Sequence, residues 1–145
     1  QIDFCKTSPD MTKLMIVDIF GNIGVYDPLT GDNLYSVNYN KAYLSEDEAG
    51  FVNDHIIVYS TDKGFALYDL ETQEERCVET GRVSVFKTDK NGKYLFTMRY
   101  DEIEIYDVET LEPIYFMENA EGVSFTYKAM FSRENKDIVV MQIGI

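Results

Sequence analysis

The chain has 145 residues, of which 45% are hydrophobic and 27% charged, and its formal net charge is −13. This length is typical of one domain with a sizeable core, and the strong negative charge predicts that neither nucleic acid nor an anionic membrane is a partner. No apolar run approaches the roughly 18 residues that a membrane-spanning helix needs. Two separated cysteines imply no disulfide framework, so we expect a reducing, cytoplasmic location.

Eleven Tyr and nine Phe favour strands, and the strands recur with a period of about 40 residues. The period is marked by Tyr26-Asp27, Tyr68-Asp69 and Tyr106-Asp107, each with a Thr three residues after its Asp. We expect each Tyr to bury its ring, and each Asp and Thr to hydrogen-bond turn amides. Three matching copies indicate an internal repeat.

Each copy predicts four short strands in chain order. First strands are expected at residues 2–6, 42–45, 83–87 and 127–131. Second strands are expected at 14–17, 56–59, 94–97 and 137–143. Third strands are expected at 23–26, 65–68 and 103–106, after polar or glycine-containing breaks at 20–22, 62–64 and 100–102. Fourth strands are expected at 33–37, 75–79 and 113–117. We interpret residues 41–52 as strand and loop, since they align with strand and turn in the other copies.

The fourth copy ends partway through its strands, and a half-built sheet would expose unpaired edge groups. We therefore expect either that the chain is part of a larger protein or that a second copy completes a ring as a homodimer.

Residues 83–117 resemble a WD40 repeat throughout. Asp89-Lys90-Asn91-Gly92-Lys93 is similar to the first turn of that family, and Ile105-Tyr106-Asp107 is similar to its Trp-Asp ending. Thr7-Ser8-Pro9-Asp10 stands at the same turn in the first copy. The Gly-His pair typical of the family is missing, and YVTN-type propeller repeats are an alternative.

The resemblance implies an all-β fold, a partial β-propeller built of four-stranded antiparallel blades. The blades are expected at residues 1–38, 39–80 and 81–119, with an incomplete blade at 120–145.

The sequence contains no motif of a catalytic, cofactor-binding or metal-binding site. Asp89-Lys90-Asn91-Gly92 begins like a calcium loop, but Met98 stands where the final Glu would be required, so we interpret it as a turn. We expect a non-catalytic protein with no cofactor and no metal. The alternatives are a hydrolase or lyase with its site in the channel of a complete propeller, and a structural half-ring that self-associates.

The leading hypothesis is a protein–protein interaction scaffold or sensor module. The resemblance implies a partner-binding face made of the loops between blades and the turns between second and third strands. The candidate partner-binding residues are Phe20, Asn22, Asp62, Lys63, Arg82, Tyr100, Asp101 and Glu102. Phe20 and Tyr100 stand out as large aromatics at turn tips. Residues 99–121 carry eight acidic side chains and one base, a pattern typical of a solvated acidic face; the alternative is a docking surface for a basic protein partner.

Overall fold

The computed structural model describes residues 1–38, 43–99 and 102–118 with their side chains, and the backbone of two further strands. The chain divides into two compact units, Gln1–Arg82 and Val83–Ile145. Both units consist of antiparallel sheets, in agreement with the predicted all-β class.

Unit 1 contains two four-stranded sheets, each a meander in which sequential strands are neighbours. Sheet 1 consists of β1 (Ile2–Thr7), β2 (Leu14–Asp18), β3 (Ile23–Tyr26) and β4 (Asn33–Val37). Sheet 2 consists of β5 (Ala49–Phe51), β6 (Ile56–Thr61), β7 (Gly64–Asp69) and β8 (Glu74–Glu79).

Unit 2 repeats the same strand order. Sheet 3 consists of β9 (Val85–Thr88), β10 (Tyr94–Arg99), β11 (Glu102–Asp107) and β12 (Pro113–Glu118). A two-stranded antiparallel sheet follows, made of β13 (Phe125–Phe131) and β14 (Ile138–Gly144). The strands predicted from the repeat are therefore present, with one exception in sheet 2.

The exception is the first strand of sheet 2, which was predicted at residues 42–45. Residues 43–45 have no regular structure, and Ala42 is outside the described residues. A short 3-10 helix (Glu46–Glu48) follows Ser45, and the strand begins at Ala49. Lys6 Nζ on β1 donates a hydrogen bond to Ala49 O at 2.8 Å and another to Glu46 O. The predicted position of this strand was therefore wrong by several residues. Lys6 of sheet 1 is hydrogen-bonded to the start of β5, and a local sequence pattern carries no information about such a long-range contact.

The apolar faces of sheets 1 and 2 pack against each other and form the core of unit 1. Alternation along the strands turns one face of sheet 1 toward sheet 2. The buried members of this core are Phe4, Met15, Val17, Ile23, Val25, Leu44, Ala49, Ile57, Tyr59 and Ala66. Tyr35 on β4 crosses between the sheets: its ring stacks on Tyr68 with centroids 3.9 Å apart, and its hydroxyl lies 3.0 Å from that of Tyr59.

In unit 2, one face of sheet 3 buries Phe96, Ile103 and Ile105. Tyr106 is 2% exposed, as predicted for the Tyr of the repeat, whereas Tyr26 and Tyr68 are only half-buried.

The turn after each Tyr-Asp pair has the same hydrogen bonds in all three sheets. One carboxylate oxygen of Asp27, Asp69 or Asp107 accepts the amide two residues on at 2.7–3.0 Å and the Thr amide three residues on at 3.1–3.3 Å. The hydroxyls of Thr30 and Thr110 each accept a further amide at 3.2 Å. The predicted role is therefore confirmed for all three Asp side chains and for the Thr30 and Thr110 side chains.

The same turn requires a left-handed residue four positions after its Asp. Sheet 1 has Gly31 there (φ 80°), but sheets 2 and 3 have Gln73 (φ 61°) and Leu111 (φ 56°). The left-handed conformation costs roughly 1–2 kcal/mol for a residue with a Cβ atom, part of which is offset by the greater freedom of glycine in the unfolded chain.

We expect Gln73→Gly to raise the free energy of unfolding by about 0.5–1 kcal/mol, measured by denaturant titration. Glu71→Gly is the control, because Glu71 lies in the same turn without a left-handed backbone, and it should lower stability. A Gln73→Gly variant less stable than the unmodified chain would contradict the prediction.

Candidate functional site

The turn between β2 and β3, residues 19–22, is the Phe20 turn. Asp18 closes it: Oδ1 accepts hydrogen bonds from the amides of Phe20 at 2.8 Å and Asn22 at 2.9 Å, and Oδ2 accepts one from Asn22 Nδ2 at 2.8 Å. Gly21 adopts φ 77°, and its amide donates to Asp18 O at 2.9 Å. The backbone that carries Phe20 is therefore held on both sides of the aromatic residue.

The Asp18 carboxylate is ionised under ordinary conditions. Partial burial opposes ionisation, but the hydrogen bonds from Asn22 and Phe20 outweigh it and lower the pKa of Asp18. The clamp on the turn thus persists unless the pH falls to strongly acidic values.

The Phe20 turn presents apolar surface to solvent. Phe20 is 63% exposed and Ile19 beside it is 38% exposed. An exposed aromatic on a fixed backbone loses little conformational freedom when a partner covers it, so it is well suited to act as a binding anchor. Sequence reasoning selected Phe20 and Asn22 but missed Ile19, whose signal was the second large apolar residue before Gly21.

The corresponding turn of sheet 2 carries Asp62 and Lys63 and is the Lys63 turn. The amides of Thr80 and Gly81 donate to Lys63 O at 3.1 and 2.8 Å, which ties the turn to the chain leaving β8. An open depression of about 330 Å³ adjoins it, lined by Thr61, Asp62, Lys63, Cys77, Val78 and Glu79. Lys63 Nζ lies 3.9 Å from Glu79 Oε1, and both side chains are more than three-quarters exposed, so this ion pair contributes little to stability.

Cys77 in that depression is not an activated nucleophile. Partial burial and the nearby Glu75 carboxylate raise the pKa of its thiol, so the thiol is protonated at neutral pH.

The Phe20 turn and the Lys63 turn lie at the same end of the two packed sheets of unit 1. At the opposite end, the β1–β2 and β5–β6 turns touch, since the Asp10 amide donates to Asp54 Oδ1 at 2.8 Å. The Phe20 turn follows β2 and the Lys63 turn follows β6, so each lies one strand length away from this contact. The structure thus brings Phe20 and Asn22 to the same end of unit 1 as Asp62 and Lys63.

Two other candidate residues are held in ion pairs. Arg82 Nε lies 2.8 Å from Glu48 Oε1, whose side chain is 9% exposed, and Arg82 Nη2 donates to Tyr43 O at 2.7 Å. Arg82 therefore anchors the segment before β5. In sheet 3, Glu102 Oε2 lies 2.7 Å from Arg99 Nη2, with Glu104 3.8 Å from the same nitrogen. Tyr100 and Asp101 lie outside the described residues.

Asp89, the first residue of the segment that resembles the start of a calcium-binding loop, is a turn residue in the structure. Asp89 is 3% exposed, and its Oδ1 accepts the amides of Lys93 and Tyr94, both at 2.7 Å. Within the described ranges, no group of three or more His, Cys, Asp or Glu side chains could hold a metal ion. The described residues also include no helix of the length and apolarity needed to cross a membrane.

No protein-family model matches the chain, and no curated protein matches it.

Proposed function

We propose that the sheets are consecutive blades of a WD40-like β-propeller. Three successive four-stranded meanders with the same strand order support this proposal, together with the common Asp turn and the face-to-face packing of sheets 1 and 2. Blades of a propeller bury their faces only against their neighbours, which requires this kind of packing.

We propose that the chain acts as a non-catalytic module that binds another protein. The observation that carries this proposal is the Phe20 turn, where a 63% exposed aromatic sits on a backbone closed by Asp18. A protruding apolar tip suits the pocket of a protein partner, whereas small molecules bind in concave sites.

A basic partner fits the charge of the chain, because a net charge of −13 accelerates association with cationic surfaces. We also propose a cytoplasmic location. Both Cys5 and Cys77 are exposed free thiols, which persist in a reducing compartment.

Photo-crosslinking in the cell of origin tests the proposal. A benzophenone amino acid at position 20 is expected to crosslink a discrete protein. The same probe at Leu29 is the matched control: Leu29 is 94% exposed but lies on the β3–β4 turn, at the opposite end of sheet 1. Phe20→Ala should weaken binding of the captured protein at least tenfold, and Leu29→Ala should leave it unchanged.

Equal crosslinking from positions 20 and 29, or unchanged binding by Phe20→Ala, would refute the Phe20 turn as the binding site.

A further inference from the structure

The outer strand of sheet 3 exposes three consecutive large apolar side chains. Ile114 is 56% exposed, Tyr115 51% and Phe116 53%. Tyr115 and Phe116 are successive residues in the regularly paired part of β12 and point to opposite faces, so the apolar surface extends over both sides of the strand. Edge strands are commonly protected by charged residues, proline or bulges. β12 has Pro113 and a bulge at its start, but the following residues Tyr115, Phe116 and Met117 provide no such protection.

The repeat itself does not demand this apolar edge. Ile114 occupies the bulge that follows the turn, as Leu34 does in β4. Phe116 pairs with Glu104, which precedes the Tyr of the repeat by two residues. The residues at the equivalent position are Ser36 in β4 and Cys77 in β8. Among the three four-stranded sheets, only sheet 3 therefore has a large apolar side chain at this second position.

Acidic residues surround the apolar strand. Residues 102–118 contain no Lys or Arg and six carboxylates, which are Glu102, Glu104, Asp107, Glu109, Glu112 and Glu118. Arg99 faces two of them, Glu102 and Glu104. Glu112 and Glu118 bracket the exposed apolar residues directly, one at each end of β12.

The outer edge of β12 has the geometry for pairing with another strand. β12 is the last strand of its sheet, and within the described part of the chain no strand pairs with its outer side. An edge strand directs alternate N–H and C=O groups outward. A second copy of the chain is a poor occupant, because its own β12 would bring Glu112 and Glu118 against like charges.

We propose that β12 binds an extended segment of a partner protein as a fifth strand of sheet 3. The partner strand carries apolar side chains that cover Ile114 and Phe116, and Lys or Arg residues that meet Glu112 and Glu118. Main-chain hydrogen bonds supply affinity, and the apolar and charged positions supply selectivity. This site is separate from the Phe20 turn and goes beyond the function proposed above.

The test uses the full chain and the acetylated, amidated peptide Lys-Thr-Ile-Thr-Phe-Thr-Lys, with binding measured by calorimetry. Its apolar residues and its two lysines share one face of a strand, as Phe116 and Glu118 do on β12. The peptide is expected to bind, and binding should weaken as salt is raised. Phe116→Thr should reduce affinity at least tenfold. Leu34→Thr, at the equivalent edge of sheet 1, and Phe20→Ala should leave it unchanged. Thr suits an exposed strand position, and circular dichroism checks that each variant is folded.

Two altered peptides test the same proposal with the unmodified protein, so their results do not depend on whether a protein variant folds. A peptide with alternate backbone amides methylated retains its side chains but cannot pair as a strand, and a peptide with Glu in place of Lys reverses the charge. Both are expected to lose binding. The proposal is overturned if either binds as well as the parent peptide, if Phe116→Thr binds normally, or if no peptide binds. Light scattering that shows a dimer lost in Phe116→Thr would assign β12 to self-association instead.

Discussion

Replacing Gly64 with alanine is expected to lower the free energy of unfolding by at least about 3 kcal/mol. A Cβ atom at position 64 would lie 1.9 Å from Val78 O and 2.9 Å from the Thr80 amide nitrogen. Both obstacles are backbone atoms of the chain paired with β7, so they cannot move aside as a side chain could. The β7–β8 pair would have to separate at the point where Lys63 O accepts two amides.

Gly50→Ala in β5 of the same sheet is the matched control. Its added Cβ would meet only the Lys6 side chain, at 3.6 Å or more, which is ordinary contact. We expect a change below about 1 kcal/mol in denaturant unfolding. Equal stability of the two variants would show that β8 does not approach Gly64 as described.

Truncating Tyr59 to alanine is expected to lower the free energy of unfolding by roughly 3–5 kcal/mol, because a large ring that is 2% exposed would be removed from the core of unit 1. Its hydroxyl donates to Glu75 Oε2 at 2.6 Å and lies 3.0 Å from the Tyr35 hydroxyl. Tyr59→Phe keeps the ring and loses these hydrogen bonds, so we expect a smaller loss of about 1–2 kcal/mol.

Tyr43→Ala is the control for the truncation, since the Tyr43 side chain is 62% exposed and only its backbone oxygen binds Arg82. It should change stability by less than about 0.5 kcal/mol. If Tyr59→Ala is no more harmful than Tyr43→Ala, the packing between sheets 1 and 2 is not as described.

The Tyr59 hydroxyl, which donates to Glu75, also makes the free energy of unfolding depend on pH in the alkaline range. Burial and the Glu75 carboxylate raise the pKa of Tyr59 above its ordinary value of 10.0. A raised folded-state pKa stabilises the fold below the unfolded-state value, and that stability is lost as the pH rises beyond it. The difference between the unmodified chain and Tyr59→Phe should therefore shrink above about pH 10.

The repeat turns could be predicted because their physics is local. The Asp27 carboxylate accepts the amides of Leu29 and Thr30, and the Thr30 hydroxyl accepts the Asp32 amide. All of these partners lie within three residues, so the spacing of Asp and Thr in the sequence is enough to predict the hydrogen bonds. The Phe20 turn could be selected for the same reason, as an aromatic residue beside Gly21. Its clamp could not be foreseen, because Asp18 belongs to the preceding strand and nothing in the repeat marks it.

The sequence by itself determined the all-β class, the period of the repeat, the turns and nearly all strand positions, since alternation and turn chemistry operate over a few neighbouring residues. The tertiary structure alone decided where β5 begins, because Lys6 reaches its start from another sheet. It also decided that Tyr59 joins Tyr35 to Glu75, and that Arg82 binds Glu48. These contacts join residues 16 to 43 positions apart, and only the stacking of one sheet on another, or the return of the chain to an earlier segment, brings them within reach.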